Sequence, residues 1–185
     1  KRKELEKKGY EFNEPKKWPW EKIDLLISSP GIALNFGANS FIVKESKKNK
    51  IKIVGDIEVF YQELKSLGLR KKIIAVTGTN GKSTFVSVLN EILQKIGLKS
   101  CIAGNIGIPV LSLNADEFDI VILELSSFQL ELIDQFRADI SVLLNVYEDH
   151  NERYESYEVY QKTKTKIFLN QRTSDHAIFD NFYLS

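Results

Sequence analysis

The residues Thr77-Gly78-Thr79-Asn80-Gly81-Lys82-Ser83-Thr84 carry the strongest chemical signal in the chain. Glycines let successive backbone N–H groups turn toward a phosphate, and a helix N-terminus placed directly after them adds the positive end of its dipole. In such a loop Lys82 reaches the β- and γ-phosphates of a nucleotide, and the Ser83 hydroxyl sits on Mg²⁺. Gly78, Thr79, Asn80, Gly81 and Thr84 complete the candidate cradle. The pattern departs from the usual phosphate loop, since two residues separate Gly78 from Gly81, where the standard spacing has about four. A tight glycine turn ahead of a helix is the plainer alternative, and the adjacent Lys-Ser pair speaks against it.

Two more sets of reactive residues follow apolar runs. Glu124 ends the run Ile120-Val121-Ile122-Leu123. A carboxylate there can hold a nucleotide's Mg²⁺, directly or through water, on the edge where open α/β sheets gather their ligands. Asn145-Val146-Tyr147-Glu148-Asp149-His150 follows a second run, residues 140–144. A lone Glu or His is ordinarily a surface residue. The phosphate loop upstream shifts Glu124 toward a metal role and His150 toward a metal or substrate role.

The elements that must position these groups alternate short apolar runs with helical patterns, which predicts βαβ units and a mostly parallel sheet. Residues 23–28, 51–54, 73–76, 120–123 and 140–144 read as strands. Residues 56–67 read as a helix with Asp56 as N-cap and Gly68 as its stop. Phe85, Val88, Leu89, Ile92 and Ile96 recur at helical spacing up to Gly97. A last helix is expected over about residues 157–170. Residues 69–72 form the expected linker, giving domains of 1–70 and 71–185.

The 185 residues are 43% apolar and 28% charged, as in an ordinary globular protein. A net charge of +1 argues against nucleic acid or an anionic membrane as partner. No apolar run approaches the roughly 20 residues that cross a bilayer. The single Cys101 excludes an intrachain disulfide and fits a reducing, cytoplasmic setting and a buried thiol. The opening residues read as the end of a helix already under way, so a piece of a longer chain is expected, working as a monomer on small molecules.

Taken together, these residues resemble the Mur ligases. Gly-Thr-Asn-Gly-Lys-Ser-Thr at 78–84 looks like that family's shortened phosphate loop, which folylpolyglutamate synthetases share. Ala103-Gly104-Asn105-Ile106-Gly107 is similar to its second glycine loop. Glu124-Leu125-Ser126-Ser127-Phe128-Gln129-Leu130-Glu131 is similar to its D-glutamate-adding branch. The stretch 145–150 with Arg153 and Tyr154, Ser29-Pro30-Gly31-Ile32 and Val54-Gly55-Asp56-Ile57-Glu58 match that branch too.

The resemblance implies three domains: a Rossmann-like one for the UDP group, of which residues 1–70 are a remnant, a central ATP-binding one begun by 71–185, and a C-terminal one not included. It implies an ATP-dependent ligase that adds D-glutamate to UDP-N-acetylmuramoyl-L-alanine through an acyl phosphate, the present piece being inactive alone. Lys82, Glu124, His150 and Lys164 are its catalytic residues. Ser83 and Glu124 hold one Mg²⁺ ion, His150 and an N-carboxylated Lys164 a second. Gly31, Asn105, Ser126, Gln129 and His150 face the muramyl substrate. The spacing from His150 is one residue shorter than the family's, which leaves Lys162 and Lys166 as competitors for the carbamate. A folylpolyglutamate synthetase is the nearest rival, and Ser126-Ser127-Phe128-Gln129 argues against it. A phosphate-loop switch or kinase, or a non-catalytic binding module, are rivals of other classes.

Overall fold

The computed structural model describes residues 2–32, 40–150 and 152–180. The chain divides into two compact units, Lys1–Leu26 with Ala33–Ile53, and Ile27–Ile32 with Val54–Ser185. In the first unit, α1 (Arg2–Lys7) precedes two short 3-10 turns. The second turn buries Trp20, whose indole N–H donates to the Pro15 carbonyl at 2.9 Å. Strand β1 (Leu25–Ile27), helix α2 (Ser40–Lys48) and strand β2 (Lys52–Val54) follow, and β1 pairs with β2.

The second unit carries the remaining described strands and α-helices. These are α3 (Asp56–Ser66), β3 (Lys72–Thr77), α4 (Lys82–Lys95), β4 (Ser100–Gly104) and β5 (Ile120–Glu124). Then come α5 (Ser127–Leu130), β6 (Ile140–Leu143), α6 (Tyr157–Thr165) and β7 (His176–Phe179). β3 to β7 form one five-stranded sheet in the order β4-β5-β3-β6-β7 with all pairs parallel. The strands alternate between two buried faces, as their period of two requires. Ile73, Ala75, Val121 and Leu123 pack with Ile57, Phe60 and Leu64 of α3. Ile74, Val76, Ile122 and Val142 pack with Val86 of α4.

The expected mostly parallel α/β fold is present, and several details differ from expectation. Helix α3 belongs to the compact unit of the large sheet, because its apolar face is buried in that core, and residues 27–32 belong to that unit too. Gly55, not Asp56, is the N-cap of α3; Asp56 is its first helical residue and accepts a bond from the Ile57 N–H at 3.0 Å. Residues 157–170 are not one helix: α6 ends at Thr165 and tightens into a 3-10 turn, Lys166–Phe168. The expected apolar face of α4 is only partly the buried one. Val86, Leu89 and Leu93 meet the sheet, whereas Phe85, Val88, Ile92 and Ile96 are exposed. The helix is apolar on two sides about 100° apart, and the sheet covers one of them. Cys101 is buried among apolar neighbours, which pushes its thiol up to about 11.

Candidate functional site

The chain leaves β3 toward β4 on one side and leaves β6 toward β7 on the other. Ligands in open α/β sheets collect outside the strand ends at such a reversal. The four segments singled out from sequence all lie on that edge: Gly78 follows β3, Asn105 follows β4, Glu124 ends β5 and Asn145 lies just beyond β6.

The phosphate loop is braced from the β6 side. The Asn145 side-chain carbonyl accepts from the backbone N–H groups of Thr79 at 3.0 Å and Asn80 at 2.9 Å, and its amide donates back to the Asn80 carbonyl at 3.0 Å. These two N–H groups are therefore turned to Asn145 rather than toward a phosphate. Gly81, with φ of +81°, caps α4, and the N–H groups of the first helical turn, which have no intrahelical acceptor, face the loop's mouth. Ser83 and Thr84 are exposed on that turn. The Lys82 ammonium folds back to donate to the Gly78 and Thr79 carbonyls at 2.9 and 3.0 Å.

A second lysine reaches the same carbonyl. Lys164, 2% exposed, donates to the Gly78 oxygen at 2.8 Å. Burial first, and the nearby Lys82 charge second, push its amine down to about 7, against a partial lift from Asp149. Lys162 is exposed, and Lys166 reaches the Glu131 carbonyl at 3.5 Å instead. Of the three lysines left open by the sequence, Lys164 is the one whose amine touches the phosphate loop. Tyr160, one turn earlier on α6, places its hydroxyl 3.2 Å from Thr79 Oγ1.

Glu124 is 1% exposed. Its Oε1 accepts from the Asn105 amide at 2.8 Å, while Oε2 is buried with no hydrogen-bond partner. An orphaned, buried carboxylate oxygen beside a phosphate loop fits a hard cation. Among the described residues, no three His, Cys, Asp or Glu side chains cluster closely enough to hold a metal by themselves. The donor set accordingly fits Mg²⁺, which binds one or two carboxylates and takes its other ligands from phosphate and water. Gly104 permits this pairing: at φ of +101° it brings the chain so near β5 that a Cβ would lie 2.5 Å from the Glu124 carbonyl oxygen.

The residues after β5 form a closed capping box. The Ser126 hydroxyl accepts from the Gln129 N–H, and the Gln129 side chain accepts from the Ser126 N–H at 3.1 Å. Gln129 also donates to Asp56 at 3.4 Å. His150, at φ of +56°, packs its ring 4.8 Å from Phe128 and 6.1 Å from Tyr160, with the Asp149 and Glu152 carboxylates 3.5 and 3.4 Å from its nitrogens. Gly31 lies exposed in a turn over residues 29–32. The structure thus gathers Lys82, Lys164 and the phosphate loop around one carbonyl, ties Asn105 to Glu124, and sets His150 against the ring that borders Lys164. Sequence reading placed Asn145 and Arg153 inside the stretches it singled out but gave neither of them, nor Tyr160, a role of its own. An Asn immediately beyond a central strand was the available signal for the first.

The sequence profile of the Mur ligase middle domain matches residues 76–181, more than half of the chain. The UDP-N-acetylmuramoylalanine--D-glutamate ligase of Wolbachia pipientis wMel is 44% identical over 156 residues, which cover 84% of this chain and 29% of that protein. The enzyme of the same name from Rickettsia bellii is 44% identical over 166 residues, 89% of this chain and 35% of that one. The chain spans about a third of the length of these curated relatives. In fold it is similar to MurF ligase of Thermotoga maritima in complex with ADP, with a TM-score of 0.56 at 19% identity over 89% of this chain and 45% of that one. It is also similar to the UDP-N-acetylmuramate:L-alanyl-gamma-D-glutamyl-meso-diaminopimelate ligase of Neisseria meningitides, with a TM-score of 0.58 at 15% identity over 97% and 59%. The chain belongs to the Mur ligase family.

Proposed function

We propose that the intact protein joins D-glutamate to UDP-N-acetylmuramoyl-L-alanine at the expense of ATP, a cytoplasmic step in making peptidoglycan precursors. The observation that carries the reading is the assembly on one sheet edge of Lys82, Lys164 and the orphaned Glu124 carboxylate, in a chain whose relatives at 44% identity bear that enzyme's name. Residues 1–70 belong to the part that takes the UDP-sugar, and 71–185 to the part that takes ATP. Among the described residues no helix is long and apolar enough to cross a membrane.

In the proposed reaction an oxygen of the L-alanyl carboxylate attacks the γ-phosphorus of ATP, and the bond to ADP breaks. The amine of D-glutamate then attacks the acyl phosphate carbon, phosphate departs, and the amine gives up a proton as the amide forms. Phosphoryl transfer rests on positioning and on charge placed where oxygens become more negative. Lys82 supplies that charge once it exchanges its own loop's carbonyls for phosphoryl oxygens, and Asn145 keeps the loop in shape meanwhile. Gly31, Asn105, Ser126, Gln129 and His150 orient the muramyl substrate. Two Mg²⁺ ions, one held by Ser83 and Glu124 and the other by His150 and Lys164, would neutralise the phosphates.

Lys164 becomes an anionic ligand by reacting with CO₂. Its neutral amine forms an N–C bond, a proton leaves, and a carbamate remains. The lowered amine pKa supports this, since only the unprotonated form reacts. The test is release of ADP and phosphate by the intact parent protein with candidate nucleotide-sugars and amino acids in turn. Turnover with UDP-N-acetylmuramoyl-L-alanine and D-glutamate is expected; turnover solely with a folate and L-glutamate would overturn the reading.

A further inference from the structure

The turn that carries Gly31 has an ambiguity built into its sequence. Ser29-Pro30-Gly31-Ile32 closes with the Ile32 N–H donating to the Ser29 carbonyl at 3.0 Å, so Pro30 and Gly31 are its central residues. Pro at the first central place suits both common turn types, and Gly at the second allows either. The two types differ mainly by a half-rotation of the central Pro30–Gly31 peptide. Because that peptide is planar and trans, the direction of the Pro30 carbonyl also fixes the Gly31 N–H, which points the opposite way. Gly31 is not among the positive-φ glycines, although nothing in its own chemistry would prevent it. Among the described residues a Cβ at this position would meet only Ser29 Oγ, at 4.0 Å. Neither backbone angle nor packing among the described residues demands a glycine here, and the position has room for the close approach of a ligand.

One side chain holds the central peptide. The Arg153 guanidinium donates to the Pro30 carbonyl at 3.0 Å and to the Ile32 carbonyl at 3.5 Å. The same group grips both oxygens of Glu131, at 2.7 and 3.3 Å, and lies 3.9 Å over the Phe128 ring. Both partners of the ion pair are largely shielded, with side chains 8% and 15% exposed. Phe128 and Glu131 belong to the stretch that also carries Ser126 and Gln129, and Phe128 packs against His150. A single fork therefore couples the Gly31 turn to the rest of the proposed muramyl-facing surface.

We propose that Arg153 is a positioning residue for the nucleotide-sugar substrate: by holding the Pro30 carbonyl it aims the Gly31 N–H at the muramyl end. The inference rests on the functional reading above. Lysine cannot replace this arginine, since a single ammonium lacks the planar fork that serves a carboxylate and two carbonyls at once. The hydrogen bonds of the Arg153 side chain go to Pro30, Ile32 and Glu131 and not to residues 78–84, so ATP binding and the transfer itself should be spared.

The experiment is steady-state kinetics of Arg153→Ala and Arg153→Lys in the intact parent protein, with melting temperatures recorded. Loss of an aimed hydrogen bond should raise KM for UDP-N-acetylmuramoyl-L-alanine by about 10-fold or more. KM for ATP and kcat should stay within about twofold, the pattern of lost ground-state binding. Arg153→Lys keeps the charge opposite Glu131, so it should remain folded and yet show the raised KM, which separates aiming from mere stability. An unchanged nucleotide-sugar KM in folded Arg153→Lys, or an equal loss toward both substrates, overturns the proposal. A wild-type protein without D-glutamate-dependent ADP release overturns the functional reading itself, and this inference with it.

Discussion

Two lysine nitrogens converge on one oxygen, the Gly78 carbonyl, with Lys82 at 2.9 Å and Lys164 at 2.8 Å. Burial of the inner ammonium, and second to it the like charge of Lys82, make the charged form of Lys164 costly. Its amine falls to about 7. The sign of the consequence follows directly: at pH 8 most Lys164 is neutral and open to CO₂, while at pH 6 most is ammonium and closed to it. With ¹³C-bicarbonate, the intact parent should give a carbamate NMR signal at pH 8 that fades toward pH 6 and is missing in Lys164→Ala. The variant should lose most activity and regain part of it when a small carboxylate is added to the buffer. A signal that persists in Lys164→Ala would move the site to another lysine. Lys82 meets a different test. Lys82→Ala should lower ligation by roughly 10²- to 10³-fold or more, as for other groups aimed at developing charge, with an unchanged circular dichroism spectrum. Near-normal ADP release by that folded variant would remove the phosphate-loop assignment. Lys82 and Glu124 were legible in the sequence because each follows a buried apolar run. Lys164 was reached only through the family resemblance: residues 162, 164 and 166 are three alike lysines on paper, and tertiary packing buries Lys164 against Gly78.

Glu58 illustrates what elements add. It lies on α3, fully buried. Its carboxylate accepts from the backbone N–H groups of Asp134, Gln135 and Phe136 at 2.8 to 3.0 Å, and from the Gln62 amide at 2.8 Å. One side chain thus pins the segment after α5 onto α3, and α5 carries the proposed substrate contacts. Glu58→Ala leaves several buried donors without acceptors and should cost roughly 3 kcal/mol or more, read as a shift of the urea midpoint at constant slope. Glu58→Gln, which keeps one carbonyl acceptor, should lose less. Wild-type stability in Glu58→Ala would show that water can take over the clamp. At this scale the strands β3, β5 and β6 were legible as continuous apolar runs. β4 was hidden because its end, Ala103-Gly104, read as a glycine loop, and β7 because it is an exposed edge strand. Periodicity could not choose between the two apolar sides of α4, since either would satisfy a helical pattern. Packing on the sheet takes the side that carries Val86, Leu89 and Leu93.

The whole molecule contains the phosphate-facing edge in one compact unit, yet it spans about a third of its relatives' length. Nucleotide binding and ligation should separate on that basis. In the proposed reading, phosphate recognition uses the loop at 78–84, the first turn of α4, Lys82 and the Glu124 carboxylate, all of which stand on one sheet held by its own core. The proposed ligation needs three substrates positioned together, and positioning supplies a large share of such rate accelerations. The 185-residue chain should therefore bind MgATP or MgADP measurably in a calorimetric titration. Lys82→Ala and Glu124→Ala should each weaken that binding, the second only when Mg²⁺ is present, because an orphaned carboxylate acts through the ion it holds. The same chain given ATP, UDP-N-acetylmuramoyl-L-alanine and D-glutamate should release no ADP above background. Ligation by this chain would mean that the remaining two thirds of the relatives are dispensable for chemistry. Nucleotide binding that ignores both substitutions would mean that the sheet edge described here is not where the phosphates sit.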